Sequence, residues 1–225
     1  MDRILIPAAN PEDWQRSPLD PAPSWEPGNA SRALAHCWQE AEGVPASVHH
    51  LLSDVESFRG FEILLVLPRH FVPLPGGFYP AENDIWALAR CRDGLISLAV
   101  KGMGREPFGE TMQEWLQDFS AGKQRRLDFL CSLLEVDQPV PVGIRYPLLK
   151  WTASAVMEAV RFHARYAVLL VHSFSACDHW FEDYQAFLGL FGVRGAPDRV
   201  VAAGDRLGAS LHFGWVRGEE EYLKA

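Results

Sequence analysis

The sequence has few cysteines, a shortage of positive charge and no long apolar run. Its four cysteines include no C-x-x-C pair, which disfavours a zinc module or a redox motif and predicts small buried hydrophobic side chains instead. The chain has 21 basic and 29 acidic residues, a formal charge of −8, which argues against a sequence-blind grip on nucleic acid. Because no apolar stretch approaches the length of a membrane span, we expect a cytoplasmic protein without a membrane partner.

What the chain does contain is enough apolar surface for one folded domain. Of its 225 residues, 48% are hydrophobic, with eight Trp and thirteen Phe, and aromatic side chains bury large areas. Prolines crowd the first thirty residues, where they disfavour both helix and central strand. We therefore predict an extended Pro-rich arm over residues 1–30, held down by Trp14 and Trp25, and a single domain over residues 31–225.

The hydrophobic pattern predicts both helices and strands in that domain. Ser31, Thr111 and Asp178 resemble helix N-caps, and Thr111-x-x-Glu114 is a capping box. Short apolar runs bounded by glycine, proline or turn residues predict strands, at 61–67, 84–91, 95–100, 167–171 and 211–215, with 193–209 left as a loop. Because three strands form a meander and a later strand follows several helices, we expect an α/β fold with a mixed central sheet flanked by helices.

The longest helix is predicted over residues 146–161. Its apolar stripe, Leu149, Ala153, Val156 and Val160, is expected to face the core. The opposite face is expected to meet solvent, and it carries Lys150, Ser154, Glu158 and Arg161.

One segment has the residue types that metal-dependent phosphodiester cleavage needs. Such chemistry uses carboxylates around a hard cation such as Mg²⁺ and a cationic group near the attacking water. Pro80–Asp84 followed by an apolar strand, then Ser97–Met103 and Glu106–Gly109, resemble the metal-site segment of the PD-(D/E)XK nuclease fold. The resemblance implies a restriction-endonuclease-like core with Asp84 at the metal.

Most of residues 10–192 also resembles a family of uncharacterised bacterial proteins. The shared stretches are Leu34–Trp38, Asn83–Asp84, Glu106–Gly109, Thr152–Ala155 and Val171–Ser175. In that family the strand exit reads Val-Glu-Gly-Lys, so its acid and its lysine correspond to Lys101 and Met103 here. A metal ligand is thus replaced by a positive charge, and the resemblance implies a degenerate site.

The candidate site residues follow from this comparison. Asp84, Lys101 and Glu106 are the catalytic candidates, with Glu40 or Glu42 as a substitute carboxylate and Glu82 close to Asp84. In that reading Mg²⁺ is the cofactor and Asp84 its ligand. If the site only binds, the candidates for phosphate contact are Lys101, Arg105 and Lys123. The alternative is structural: Asp84 caps a strand start, and Lys101 is a solvated lysine.

Two other groupings are weaker. His172, Cys177 and His179 are residue types that bind zinc, but their spacing matches no zinc module and a fourth ligand is lacking. The run His172–Ser175 contains serines without the flanking glycines of a nucleophile elbow. Structural roles are expected for both.

Three functions remain open. The first is a non-catalytic or weakly catalytic nuclease-like protein that binds nucleic acid or another phosphate-bearing ligand. The second is an active Mg-dependent nuclease with a rearranged site. The third is a module that binds a protein partner and no nucleic acid, which the acidic charge favours.

Overall fold

Six strands form one mixed sheet at the centre of the molecule. The structure is a computed structural model that describes residues 10–15 and 25–224. The strands lie in the order β1-β2-β3-β4-β6-β5. Their bounds are Glu62–Val72 (β1), Ala81–Cys91 (β2), Gly94–Met103 (β3), Tyr166–Ser173 (β4), Arg199–Arg206 (β5) and Ala209–Arg217 (β6). The β3–β4 and β4–β6 pairs are parallel and the other three are antiparallel, so the fold is α/β as predicted.

Helices cover both faces of this sheet. Within the described residues they are Ala30–Glu40 (α1), Ala46–Ser53 (α2), Met112–Trp115 (α3), Ala121–Leu134 (α4), Tyr146–Arg161 (α5) and Phe181–Leu188 (α6). One apolar layer lies between the sheet and α1–α2, and the other between the sheet and α4–α6. In that part of the chain no helix is long and apolar enough to cross a membrane.

The structure confirms several predicted elements, all of them predicted from residues close together in the sequence. The helix at 146–161 has the expected bounds, with a proline in its first turn. The capping box at Thr111 is present with both of its hydrogen bonds. All eight residues of β4 are buried, as a uniformly apolar strand predicts for the middle of a sheet.

Two predicted helix starts are wrong. The N-cap of α1 is Asn29, whose side chain accepts hydrogen bonds from the backbone N–H groups of Ser31 and Arg32. This leaves the Ser31 hydroxyl free to contact the sheet. Asp178 does not cap α6, which begins after Trp180; its carboxylate instead pairs with Arg217 of β6.

The predicted loop at 193–209 contains the edge strand β5. Its sequence, with Arg199, Asp205 and Arg206, does not resemble a buried strand. An edge strand pairs on one side only, so charged residues are tolerated and even protect the edge. β5 forms because its backbone pairs with β6, and the local sequence alone does not indicate a strand.

The predicted faces of α5 are partly wrong. Ser154 and Glu158, expected outside, are buried, and Val160, expected inside, is 44% exposed. Ser154 Oγ donates to Asn83 Oδ1 on β2 at 2.9 Å, and Glu158 lies against His70 on β1. These polar contacts allow the face to be buried, so α5 presents a polar row to the first two strands.

The prediction that the cysteines are buried is correct for two of the four. Cys37 and Cys131 are buried, Cys91 is half-buried and Cys177 is exposed, and all four are free thiols. Cys177 lies in the loop after β4, where the apolar strand next to it in sequence no longer covers it. The expectation of burial was therefore wrong for that residue.

The N-terminal arm lies mainly outside the described residues, which begin at Asn10 and omit 16–24. Within the described part, residues 11–15 form a 3-10 helix. Trp14 is buried there, and its indole Nε1 donates to Gln39 Oε1 of α1 at 3.1 Å. Trp25 is half-buried. The boundary at residue 30 stays a prediction.

Candidate functional site

Asp84 and Lys101 form an ion pair between neighbouring strands. Ile85 of β2 is paired with Val100 of β3, so Asp84 and Lys101 lie one step beyond that pair. Lys101 Nζ is 2.8 Å from Asp84 Oδ1, and the two side chains are 22% and 10% exposed. An ion pair this sheltered is less screened than one at the surface.

Protein groups occupy both carboxylate oxygens of Asp84. Oδ2 accepts from the backbone N–H of Gly102 at 2.9 Å. Oδ1, already bonded to Lys101, also accepts from Ser31 Oγ at 3.2 Å. Asp84 therefore links β2 to β3 and to the first turn of α1. A metal ion would have to displace at least one of these donors.

The close approach of α1 to β3 explains why Ser31 reaches the site. A Cβ on Gly102 would lie 3.0 Å from the Ala30 carbonyl oxygen and 3.3 Å from Leu34 Cβ. Only glycine gives the helix backbone this room. Gly102 therefore sets how close α1 lies to the site.

Glu106 lies near the same helix start but serves a different group. Its Oε1 accepts from the backbone N–H of Ala30 at 2.9 Å, one of the donors that a helix N-terminus leaves without an internal partner. A carboxylate is favourable there. Among the three catalytic candidates, Asp84 and Lys101 are brought together, and Glu106 binds the backbone of α1.

The substitute carboxylates lie elsewhere. Glu40 is the last residue of α1, about 13 Å along the helix axis from Ser31 at a rise of 1.5 Å per residue, and it accepts a hydrogen bond from Tyr222. Glu42 is exposed beyond that end. Glu82 is closer, on β2, and its Oε1 accepts from Arg69 Nε at 2.7 Å.

No metal cluster forms in the described part of the chain: no group of three or more His, Cys, Asp or Glu side chains there could hold an ion. His172 is fully buried, and its Nδ1 accepts from the indole of Trp38 at 3.3 Å. His179 Nδ1 is 2.5 Å from Ser175 Oγ. The Ser175 hydroxyl also accepts hydrogen bonds from the backbone N–H groups of Cys177 and His179. This arrangement is typical of a serine that stabilises its own loop.

The predicted phosphate-binding cations are not gathered in one place. Lys101 is paired with Asp84. Arg105 is 3.9 Å from Glu220 and has a side chain 79% exposed. Lys123 Nζ donates to the Trp115 carbonyl and lies 5.5 Å from the centre of the Trp115 ring.

Lys150 on α5 was not among the predicted site residues, because the sequence placed it on the basic, solvent-facing side of the helix. It is half-buried, and no carboxylate lies within salt-bridge distance of its ammonium group among residues 10–15 and 25–224. Burial lowers its pKa, and the charge of Lys101 lowers it further. Lys150 and Lys101 lie 5.9 and 5.1 Å from the centre of the Trp151 ring, so both cations border one indole.

The signal for Lys150 was present but was interpreted in the opposite sense. Lys150, Ser154 and Glu158 recur every four residues, which places them on one helical face. That face was predicted to meet solvent because it is polar. It meets β1 and β2 instead, through Glu158 and Ser154, and Lys150 borders the same indole ring as Lys101. A small cavity nearby is lined by Trp14, Trp25, Ser31, Arg69, Glu82 and Asp84.

Comparison with known proteins shows a family and nothing more specific. The sequence model of a family described as "Domain of unknown function (DUF6946)" matches residues 7–220. No curated protein matches the chain, and no solved structure matches it.

Proposed function

The chain belongs to the DUF6946 family of domains of unknown function, and from its site we propose that it binds a phosphate-bearing ligand without cutting it. The observation that carries this proposal is the occupation of both Asp84 oxygens, by Lys101 on one and by the Gly102 N–H on the other. The proposed ligand lies beside this pair, next to Lys150.

A nuclease-like core is part of the proposal. The meander β1–β3 is followed, through α3–α5, by β4 parallel to β3. This places Asp84 and Lys101 on adjacent strands, as the resemblance to the PD-(D/E)XK fold implies. In this proposal, Lys101 stands where a nuclease of that fold would have its strand carboxylate.

The electrostatics of the pair oppose a divalent ion. Lys101 supplies one positive charge at 2.8 Å from Asp84, where a bound metal would supply two. A cation entering beside it would be repelled by Lys101 and would find Asp84 already neutralised. The neighbouring carboxylate of Glu82 is bonded to Arg69. The residues present therefore fit a metal site poorly.

The same charges favour an anion. Arg69 with Glu82 and Lys101 with Asp84 make two ion pairs. Lys150 has no ion-pair partner among the described residues, and Glu82 and Glu110 act on it only from beyond salt-bridge distance. A half-buried ammonium without a carboxylate has lost hydration and gained no counter-ion. A phosphate oxygen near Lys150 would supply that counter-ion, and the proposal therefore needs only a local positive charge on an acidic protein.

The proposal is tested with tripolyphosphate as the probe, by isothermal titration calorimetry at low ionic strength. We expect saturable binding that weakens with added salt and falls at least tenfold in Lys150→Gln. Lys224→Gln is the matched control, because it removes the same charge from the exposed C-terminal end of the described chain. Equal affinity in Lys150→Gln and wild type would contradict the assignment.

Cleavage is measured separately. End-labelled single- and double-stranded DNA and RNA are incubated with the protein and Mg²⁺ or Mn²⁺, and we expect the nucleic acids to remain uncut. Metal-dependent cleavage that is lost in Asp84→Asn would instead establish the rearranged nuclease. Such a result would overturn the proposal.

A further inference from the structure

The loop that leads into β2, the strand of Asp84, exposes two aromatic side chains to solvent. The loop of residues 73–80, here called the aromatic loop, joins β1 to β2. Phe78 is 85% exposed and Tyr79 is 77% exposed, with ring centres 6.0 Å apart. Large aromatic side chains this exposed stabilise no core, and two adjacent ones point to a binding role.

The buried Arg126 of α4 holds the aromatic loop in place. Its guanidinium donates to the carbonyl oxygens of Pro75 at 2.9 Å, Gly77 at 3.1 Å and Leu74 at 3.2 Å. Arg126 is only 7% exposed; its bond to Leu74 is buried, and those to Pro75 and Gly77 are partly buried. The two rings are therefore presented by a fixed backbone, which lowers the entropy cost of binding.

The start of α4 brings a third aromatic residue towards this loop. A Cβ on Gly76 would lie 2.6 Å from the backbone nitrogen of Arg126, and one on Gly122 would lie 2.6 Å from the Gly76 carbonyl oxygen. The two backbones therefore touch. Phe119, 63% exposed, is three residues before Gly122, on the segment that leads into this contact.

Lys150 interacts with a cation of each region, with Lys101 of the Asp84 pair and with Arg126, which holds the aromatic loop. Burial lowers the pKa of Lys150, and the charges of Lys101 and Arg126 add to that effect, so the three groups are electrostatic neighbours. Lys123 and the exposed Arg125 are on the first turns of α4. Acidic residues are also present, since Glu82 and Glu110 act on Lys150 in the opposite direction.

We propose that the phosphate-bearing ligand is a single-stranded nucleic acid, whose bases stack on Phe78, Tyr79 and Phe119. Its phosphates then contact Lys150 and the cations at the start of α4. This rests on the proposed phosphate-binding function and adds the chemical class of the ligand. Alternating cationic and aromatic side chains are what sequence-tolerant binding of single strands uses.

A single strand fits this surface better than a duplex does. Stacking needs unpaired bases with free faces. Duplex binding depends on neutralising many phosphates at once, which a protein of charge −8 with one local group of cations does poorly. The aromatic contacts supply affinity that charge alone does not.

The test measures binding of fluorescein-labelled oligo(dT) and oligo(U) by anisotropy, with full-length wild-type protein and variants. We expect Phe78→Ala and Tyr79→Ala each to weaken oligonucleotide binding by roughly fivefold or more, the lower end of what base stacking contributes. Leu207→Ala is the matched control, because Leu207 is an apolar residue 67% exposed in the β5–β6 turn, at the other edge of the sheet. It should leave affinity unchanged.

Failure of this inference is distinguishable from failure of the proposed function. If both aromatic variants bind oligonucleotide as tightly as wild type does while Lys150→Gln loses tripolyphosphate, phosphate binding stands and the single-strand assignment is overturned. If wild type binds tripolyphosphate but no oligonucleotide, the assignment is also overturned. If neither probe binds, both proposals fail.

A membrane surface is the alternative partner for exposed aromatic residues beside cations. Vesicles of phosphatidylcholine with anionic phosphatidylserine serve as the competing probe in a sedimentation assay. Loss of vesicle binding in the aromatic variants, with oligonucleotide binding unchanged, would overturn the single-strand assignment in favour of lipid. We expect no sedimentation of the wild-type protein with these vesicles.

Discussion

Removing the charge of either Asp84 or Lys101 should show how strongly the two side chains interact. Lys101→Met keeps the length and apolar body of the side chain and removes its charge. Asp84→Asn keeps the shape of the carboxylate and removes the negative charge. The double variant replaces the pair by two neutral groups, so the four proteins form a double-mutant cycle.

The magnitude follows from the geometry. At 2.8 Å and an effective dielectric constant of about 20, the Coulomb attraction is about 6 kcal/mol before desolvation is subtracted. Desolvation of two sheltered ions offsets much of this. A net coupling of about 2 kcal/mol is expected, between the ~0.5 kcal/mol of exposed pairs and the 3–5 kcal/mol lost when one partner of a buried pair is removed.

The single variants should differ in a defined direction. Asp84→Asn also disturbs the hydrogen bonds from Gly102 and Ser31, so we expect it to cost about 3–4 kcal/mol of unfolding free energy. Lys101→Met leaves those two donors on the carboxylate and should cost about 2 kcal/mol. The double variant should be more stable than the sum of the two losses predicts.

The assay is urea unfolding followed by the fluorescence of the eight tryptophans, with far-UV circular dichroism as the check for a two-state transition. A coupling below about 0.5 kcal/mol would equal that of an exposed pair. Asp84 would then be available to a metal ion, and the reasoning behind a non-cutting site would be refuted.

Three further perturbations test other parts of the structure. Lys101→Glu places a second carboxylate beside Asp84, so the melting temperature of this variant should fall without metal and recover with millimolar Mn²⁺ in calorimetry. The wild-type melting temperature should not respond to Mn²⁺, and no recovery in the variant would contradict the proposed layout. Burial lowers the pKa of His172 to about 3, below its unfolded value of ~6.5. As the pH falls below about 6.5, the unfolded state therefore binds a proton that the folded state does not. The free energy of unfolding should then fall by up to ~1.4 kcal/mol per pH unit. The variant His172→Gln should lose that part of the slope in urea titrations across this range, and an unchanged slope would count against it. Gly76→Ala, at φ +80° and against the α4 backbone, should cost about 2–4 kcal/mol in urea unfolding, while Gly208→Ala, at φ +85° with open space around it, should show only the smaller cost of backbone strain.

The predictable part of the fold rests on signals that a few neighbouring residues contain. The apolar stripe of α5 predicted its bounds, and the Thr111 capping box was recognisable as a local pattern. The uniformly apolar β4 needed no partner to be identified as a central strand. The mixed sheet flanked by helices followed from the order of these elements.

The candidate site was predictable only in part. Asp84 and Lys101 were singled out from the sequence, and adjacent strands bring them within 2.8 Å. The hydrogen bonds that complete the Asp84 environment come from Ser31 and Gly102. Ser31 was expected to cap its own helix, and its contact spans 53 positions in the chain, so no local pattern could indicate it.

Composition and local pattern thus determined that this chain forms an α/β domain, and the resemblance to a known family directed attention to Asp84 and Lys101. Only the tertiary structure decided that Lys150 shares the Trp151 ring with Lys101, that Glu106 binds a helix start, and that Phe78 and Tyr79 are exposed on the β1–β2 loop. The physical reason is that burial and pairing of a polar side chain depend on what another element places opposite it. A residue's own neighbours in sequence do not contain that information.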